Sequence, residues 1–199
     1  MASAEDITRH WDFDGDLERV APPRPTPEVE IVEPDPAWPE VFEAQRAIIE
    51  DALGPNAVAI EHVGSTSVPD LPAKPIIDID LTVPDPTEED AYVAALEAVG
   101  FEFCWRERSW HQHRLFVRHG DPRVNLHVFG PDSPEVIRHR MLREWLRTHA
   151  EDRAEYAAIK RATAADVNAL GAPGAYNARK EPFIRDLLDR IFRAEGLLP

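Results

Sequence analysis

Cysteine is nearly missing from this chain: Cys104 stands alone among 199 residues, which rules out a disulfide framework within the molecule. Beside Phe103 and Trp105 it reads as a small buried hydrophobe rather than a nucleophile. Long apolar runs are missing too. No stretch approaches the roughly 18 consecutive apolar residues of a membrane span, and no basic segment leads into an apolar one near Met1. No membrane partner is therefore expected, and a cytoplasmic location is the default. Basic residues are scarce: 22 Lys and Arg stand against 37 Asp and Glu, a formal net charge of −15. That field works against holding long nucleic acid, though a local basic cluster could still hold one nucleotide. No Gly-x-x-x-x-Gly-Lys-Ser/Thr occurs, so the chain carries no kinase phosphate loop of its own. There is no internal repeat.

The length suits one domain able to bury a core without disulfides or structural metal. Residues 1–28 are acidic and end in the run Ala21 to Pro27, Ala-Pro-Pro-Arg-Pro-Thr-Pro, a composition expected of a loose or extended arm in which Trp11 and Phe13 give local anchorage. Residues 29–199 read as the folded domain. The pattern predicts a strand near Val29 to Glu33, a helix from Pro39 to Leu53 ending at Gly54, and a strand from Ala57 to Val63. A third strand runs from Ile76 to Val83. Thr87-Glu-Glu-Asp reads as a capping box before a helix carrying Tyr92, Leu96 and Val99. Three strands follow, Phe101 to Trp105, Gln112 to His119 and Arg123 to Phe129, the last two joined as an antiparallel hairpin. From about residue 133 the chain turns helical, with helices from Ser133-Pro134, from Glu151 to Leu170 and from Asn177 to Ala194. The expected fold is α+β, a mixed sheet flanked by helices with a C-terminal helical block.

The most informative stretch is EHVGSTSVPDLPAKPIIDIDL, Glu61 to Leu81. Side chains two apart on a strand share a face with α-carbons roughly 6.6 Å apart, so Asp78 and Asp80 project together. Paired carboxylates in apolar surroundings are unfavourable unless a cation or a proton neutralises them, which points to Mg²⁺ or Mn²⁺. Upstream, Gly64 and Ser65 open a bend whose backbone N–H groups, with the hydroxyls of Ser65, Thr66 and Ser67, suit a phosphate. The intervening loop is long enough to bring that bend beside the acidic strand.

A Gly-Ser turn followed by Asp-x-Asp on the next strand resembles the nucleotidyltransferase superfamily of polymerase-beta type. More narrowly, EHVGSTSVPDLPAKPIIDID resembles the GrpB (UPF0157) family, as do IVEPDPAWPEVFEAQR, HRLFVR, VNLHVFG and YNARKEPFI in the same order, covering about Ile31 to Phe192. The resemblance implies a nucleotidyltransferase-like fold and a metal-dependent transfer of a nucleotidyl group from a nucleoside triphosphate to an unknown small-molecule or protein acceptor. Some family members look fused to dephospho-CoA kinase, which makes an inactive accessory module in coenzyme metabolism the alternative. In the superfamily a third carboxylate on the neighbouring strand completes the metal site. Here that strand reads Val-Asn-Leu-His-Val, placing His127 or Asn125 there instead. His127 there suits a general base, or favours Mn²⁺ or Zn²⁺ over Mg²⁺.

Lys74 and Lys180 are further phosphate ligands that the family segments suggest. Arg114, Arg118, Lys160 and Arg179 each read more readily as solvated surface charges, and Tyr176 either stacks a base or caps the core. Only one of Glu61 and His62 can face the site on a regular strand. His111, His113 and His127 offer a weaker zinc-hydrolase reading. Asp70 stands where family segments tend to carry glycine, and Asp tolerates a left-handed turn.

Overall fold

The computed structural model describes residues 2–12 and 15–199. Its centre is strand β3 (Ile76–Thr82), whose alternation divides the molecule. Ile77, Ile79 and Leu81 are fully buried on one face, while Asp78 and Asp80 project from the other. β3 pairs antiparallel with β2 (Ala59–Val63) and parallel with β6 (Arg123–Phe129). β6 continues antiparallel to β5 (His113–Arg118), which pairs with β4 (Glu102–Glu107), and the two-residue β1 (Glu18–Arg19) forms the far edge. The order is β1-β4-β5-β6-β3-β2, a mixed sheet with one parallel junction, as expected for α+β.

The apolar face of the sheet packs against α2 (Trp38–Leu53) and α3 (Val93–Ala98), joining Phe42, Ile49, Leu96, Phe116 and Leu126 in one core. Pro39 sits in the first turn of α2, and Gly54 closes it with φ +52°. The other face looks toward the helical block: α4 (Pro134–Thr148), α5 (Ala150–Ala169) and α6 (Tyr176–Ala194). That block has its own core, in which Leu146, Leu187, Ile191 and Phe192 meet Val68 and Leu71 of the loop between β2 and β3. Two cores with a polar sheet face between them leave room for a cleft lined by charge.

Three expectations are revised. The segment Val29 to Glu33 is not a strand but makes one bridge, Val32 to Ala73. The Asn168 side chain bonds both the N–H and the C=O of Val29 at 2.9 Å, so a side chain takes the place of a ladder partner. Thr87 does not cap a helix; its N–H and hydroxyl donate to Asp85 in a local turn, and α3 starts only at Val93. The arm is anchored: a short helix α1 (Ala4–Thr8) buries Ile7 in the second core, and β1 joins the sheet. Phe13 lies outside the described residues. Residues 22–28 are exposed and without regular structure, in keeping with their prolines.

Ile79 joins the sheet to the first core with no exposure to solvent. Ile79→Ala is expected to lower the unfolding free energy by about 2–5 kcal/mol in urea titrations. A loss below about 1 kcal/mol would show that this face tolerates a cavity and does not organise the fold.

Candidate functional site

The Gly-Ser turn and the acidic strand do converge. Gly64 adopts φ +67°, and a β-carbon there would meet Asp78 Oδ2 at 2.5 Å. Only glycine satisfies both the left-handed backbone and the close approach. Gly64, Ser65, Lys74, Asp78, His127 and Lys180 line one cavity of about 280 Å³ between the sheet and the helical block. Of the hydroxyls expected on a phosphate, only Ser65 lines that cavity. Thr66 donates to the Ile76 carbonyl at 3.1 Å and meets the His62 ring at 3.0 Å, while Ser67 Oγ donates to the Gly64 carbonyl at 2.6 Å. Both are occupied in holding the bend's shape.

The two aspartates share a face but not an environment. Asp78 lies across from Asn125 on β6, whose side-chain amide donates to Asp78 Oδ1 at 2.8 Å, and His127 Nε2 lies 3.8 Å from the same oxygen. Burial would raise its pKa, but His127, Asn125 and Lys74 together hold it below the usual carboxylate value. Asp80 is 1% exposed and sits beneath His139 of α4, whose Nδ1 lies 2.8 Å from Asp80 Oδ2. Burial acts to lower the pKa of His139, yet the Asp80 carboxylate prevails and lifts it to about 9, so an imidazolium neutralises the second acid at neutral pH. Among the described residues, Asp80 Oδ1 is buried without a hydrogen-bond partner.

A relay runs behind His127. His113, 2% exposed, places Nδ1 2.7 Å from Glu107 Oε2 and Nε2 3.0 Å from His127 Nδ1. Burial drives His113 down to about 4, so it is neutral. Its Nδ1–H donates to the carboxylate and its Nε2 accepts from His127 Nδ1–H, which leaves His127 Nε2 facing Asp78 Oδ1. The chain of contacts fixes the orientation of the His127 ring.

The residues fit a divalent cation in part. Asp78 and the orphaned Asp80 Oδ1 are hard oxygen donors, but among the described residues no three His, Cys, Asp or Glu side chains gather as a metal site. The expected zinc set is not assembled. His113 spends both ring nitrogens on Glu107 and His127, and His111 lies in a turn at φ +53°.

A family model described as GrpB protein matches residues 28–190. The chain belongs to the GrpB family. Among its curated relatives is the UPF0157 protein BH1888 of Halalkalibacterium halodurans, 46% identical over 67% of this chain and 68% of that protein. Another is a dephospho-CoA kinase of Mycolicibacterium paratuberculosis, 32% identical over 82% of this chain, which spans only 46% of that protein. The crystal structure of conserved protein GrpB from Enterococcus faecalis superposes with a TM-score of 0.73 at 27% identity, covering 84% of this chain and 99% of that one. A weaker likeness, TM-score 0.49 at 15% identity over 65% of this chain and 42% of the other, is to the Cid1 poly(U) polymerase with Mg and 3′-dATP bound.

In this GrpB protein several basic residues depart from their sequence reading. Lys160, taken for a surface charge, is 2% exposed and lines the cavity, as does Tyr176, which is 3% exposed. Arg114 is buried on Glu89, Arg118 bonds Gln45, and Arg179 stays exposed, so none of these three lines the cavity. Neither Glu61 nor His62 reaches it: Glu61 pairs with Arg143, and His62 stacks on Phe42. Asp70 does adopt a left-handed backbone, φ +62°, which an aspartate tolerates better than most residues. His139 escaped the sequence reading, because nothing in Arg-His-Arg-Met distinguishes it from a surface histidine.

His139 titration gives a direct check. Its folded pKa lies above the unfolded value, so it stabilises the protein fully below about pH 6.5, and that contribution disappears as pH rises through about 9. Imidazole resonances followed by NMR are expected to show one histidine titrating near 9, absent from His139→Gln. Titration of all histidines at or below about 6.5 would contradict the Asp80 ion pair.

Proposed function

We propose that this cavity binds a nucleoside triphosphate with a divalent cation and transfers the nucleotidyl group to a small-molecule or protein acceptor. The observation that carries the reading is the contact between Gly64 and Asp78, which brings a phosphate-binding bend and a carboxylate into one cavity with Lys74 and Lys180. Backbone N–H groups after Gly64, with Ser65, suit the phosphate oxygens. Asp78 would hold Mg²⁺ or Mn²⁺, which when bound neutralises phosphate charge, whereas Asp80 lies beneath His139 and does not line the cavity. Because this protein has too few ligands to cage an ion, the cation is expected to arrive coordinated to the triphosphate.

The chemistry then requires an acceptor nucleophile to bond to the α-phosphorus, the α–β bridging bond to break and pyrophosphate to leave. His127 Nε2, fixed by Glu107 and His113, takes the proton of the nucleophile, and the two lysines stabilise the departing charge. Positioning and charge compensation supply most of the acceleration in such a site.

A second reading, a nucleotide-binding module without transfer, is favoured by one observation. Where the superfamily carries its third carboxylate this chain has Asn125 and His127, and His139 already neutralises Asp80. The relatives described as dephospho-CoA kinases make coenzyme A metabolism a setting for such a module.

Thermal melts separate these readings. ATP or another nucleoside triphosphate with Mg²⁺ is expected to raise the melting temperature of the wild type, and Asp78→Ala/Asp80→Ala to lose that rise. A transferase releases pyrophosphate when the correct acceptor is supplied; a module is stabilised without turnover. Absence of any nucleotide-dependent rise across a panel of bases with Mg²⁺ or Mn²⁺ would sink both.

A further inference from the structure

The inner end of the cavity is formed by helices α5 and α6 and carries more positive charge than the fold itself neutralises. Lys160 Nζ is buried and has no hydrogen-bond partner among the described residues, and neither does the buried hydroxyl of Tyr176. Lys160 lies over the Tyr156 ring with Nζ 4.9 Å from its centroid, while Lys74 and Lys180 approach the Tyr176 ring at 5.1 Å and 4.5 Å. Aromatic faces soften an ammonium charge without accepting its hydrogen bonds at full strength. Asp78 is the single carboxylate lining the cavity among the described residues, so three ammonium groups share one counter-charge. Burial pushes Lys160 down to about 7 and Lys180 to about 8, the response of ammonium groups that lack acceptors.

A buried cation without acceptors is strongly unfavourable, and apolar residues of the same volume would pack at least as well. Its retention therefore indicates an occupant that supplies the missing oxygens. A single phosphate must share its few oxygens among three ammonium groups and the phenol, whereas two linked phosphates offer enough acceptors to serve them together.

We infer that Lys74, Lys160 and Lys180, with the Tyr176 hydroxyl, form a cage that binds a pyrophosphoryl group directly, without a divalent cation. The ligand class is a diphosphate or the terminal phosphates of a longer chain. The lysines act as the counter-ions that a metal would otherwise provide, and Asp78 marks the boundary at which metal coordination takes over. The cage shares its cavity with the transfer reading but needs neither Asp80 nor catalysis.

The test is calorimetric and thermal titration of the whole chain with inorganic pyrophosphate in excess EDTA, with orthophosphate as comparison. Wild type is expected to be stabilised by pyrophosphate and much less by orthophosphate. Lys160→Met keeps the buried stem and removes the charge, so the free variant should melt at or above the wild-type temperature. Its affinity for pyrophosphate should fall on the order of tenfold or more, as for loss of a charge-assisted hydrogen bond. No wild-type response, an undiminished response in Lys160→Met, or a free Lys160→Met protein well below wild type in stability would each overturn the cage. Loss of nucleotide binding with Mg²⁺ while pyrophosphate still binds in EDTA would count against the transfer reading alone, and the reverse result against the cage alone.

Discussion

The contact between Gly64 and Asp78 is the constraint on which the site depends. A backbone at φ +67°, pressed against a carboxylate too closely for any side chain, fixes where the bend ends and which way the strand's polar face looks. Everything else in the cavity is set relative to that pair. β6 brings Asn125 and His127 alongside through parallel pairing, the helical block supplies lysines from above, and Thr66 and Ser67 spend their hydroxyls on keeping the bend in shape. The sheet's opposite face, with Ile77, Ile79 and Leu81 fully buried, keeps β3 from rotating its acids away.

Charge balance follows from this arrangement. A two-acid strand placed in a half-closed cleft needs compensation, and this chain provides it asymmetrically. Asp78 stays partly open, stabilised by Asn125 and Lys74, whereas Asp80 is sealed under the imidazolium of His139. The consequence is one accessible carboxylate beside an excess of lysine. Such a site is better matched to a phosphate chain that brings its own cation than to a resident ion.

Much of this was legible in the residues. The alternation in Ile-Ile-Asp-Ile-Asp-Leu names the inner and outer faces of β3 without any tertiary information, and Gly54 closes α2 and Pro134 opens α4 as their backbone preferences require, though the Ser133 side chain makes no cap bond. Less legible were the partners that depend on distant segments. His139 meets Asp80 across 59 positions of sequence, and a histidine between two arginines on a helix carries no local mark of its role. Lys160 lies on α5, where alanines and charges alternate with only a faint apolar stripe, so which lysine turns inward is decided by packing against α6. The Val29 segment misled for a related reason: its extended backbone is real, but an asparagine 139 residues away satisfies it instead of a strand. Local pattern thus placed the elements and the acids, and tertiary contacts chose the cations.

The most direct measurement is a crystal structure with a non-hydrolysable nucleoside triphosphate analogue and Mg²⁺. The account places the phosphate chain along the Gly64-Ser65 bend, the cation on Asp78 and the terminal phosphates among Lys74, Lys160 and Lys180. A nucleotide bound elsewhere, or Asp78 turned out of contact with Gly64 when the ligand is present, would contradict it.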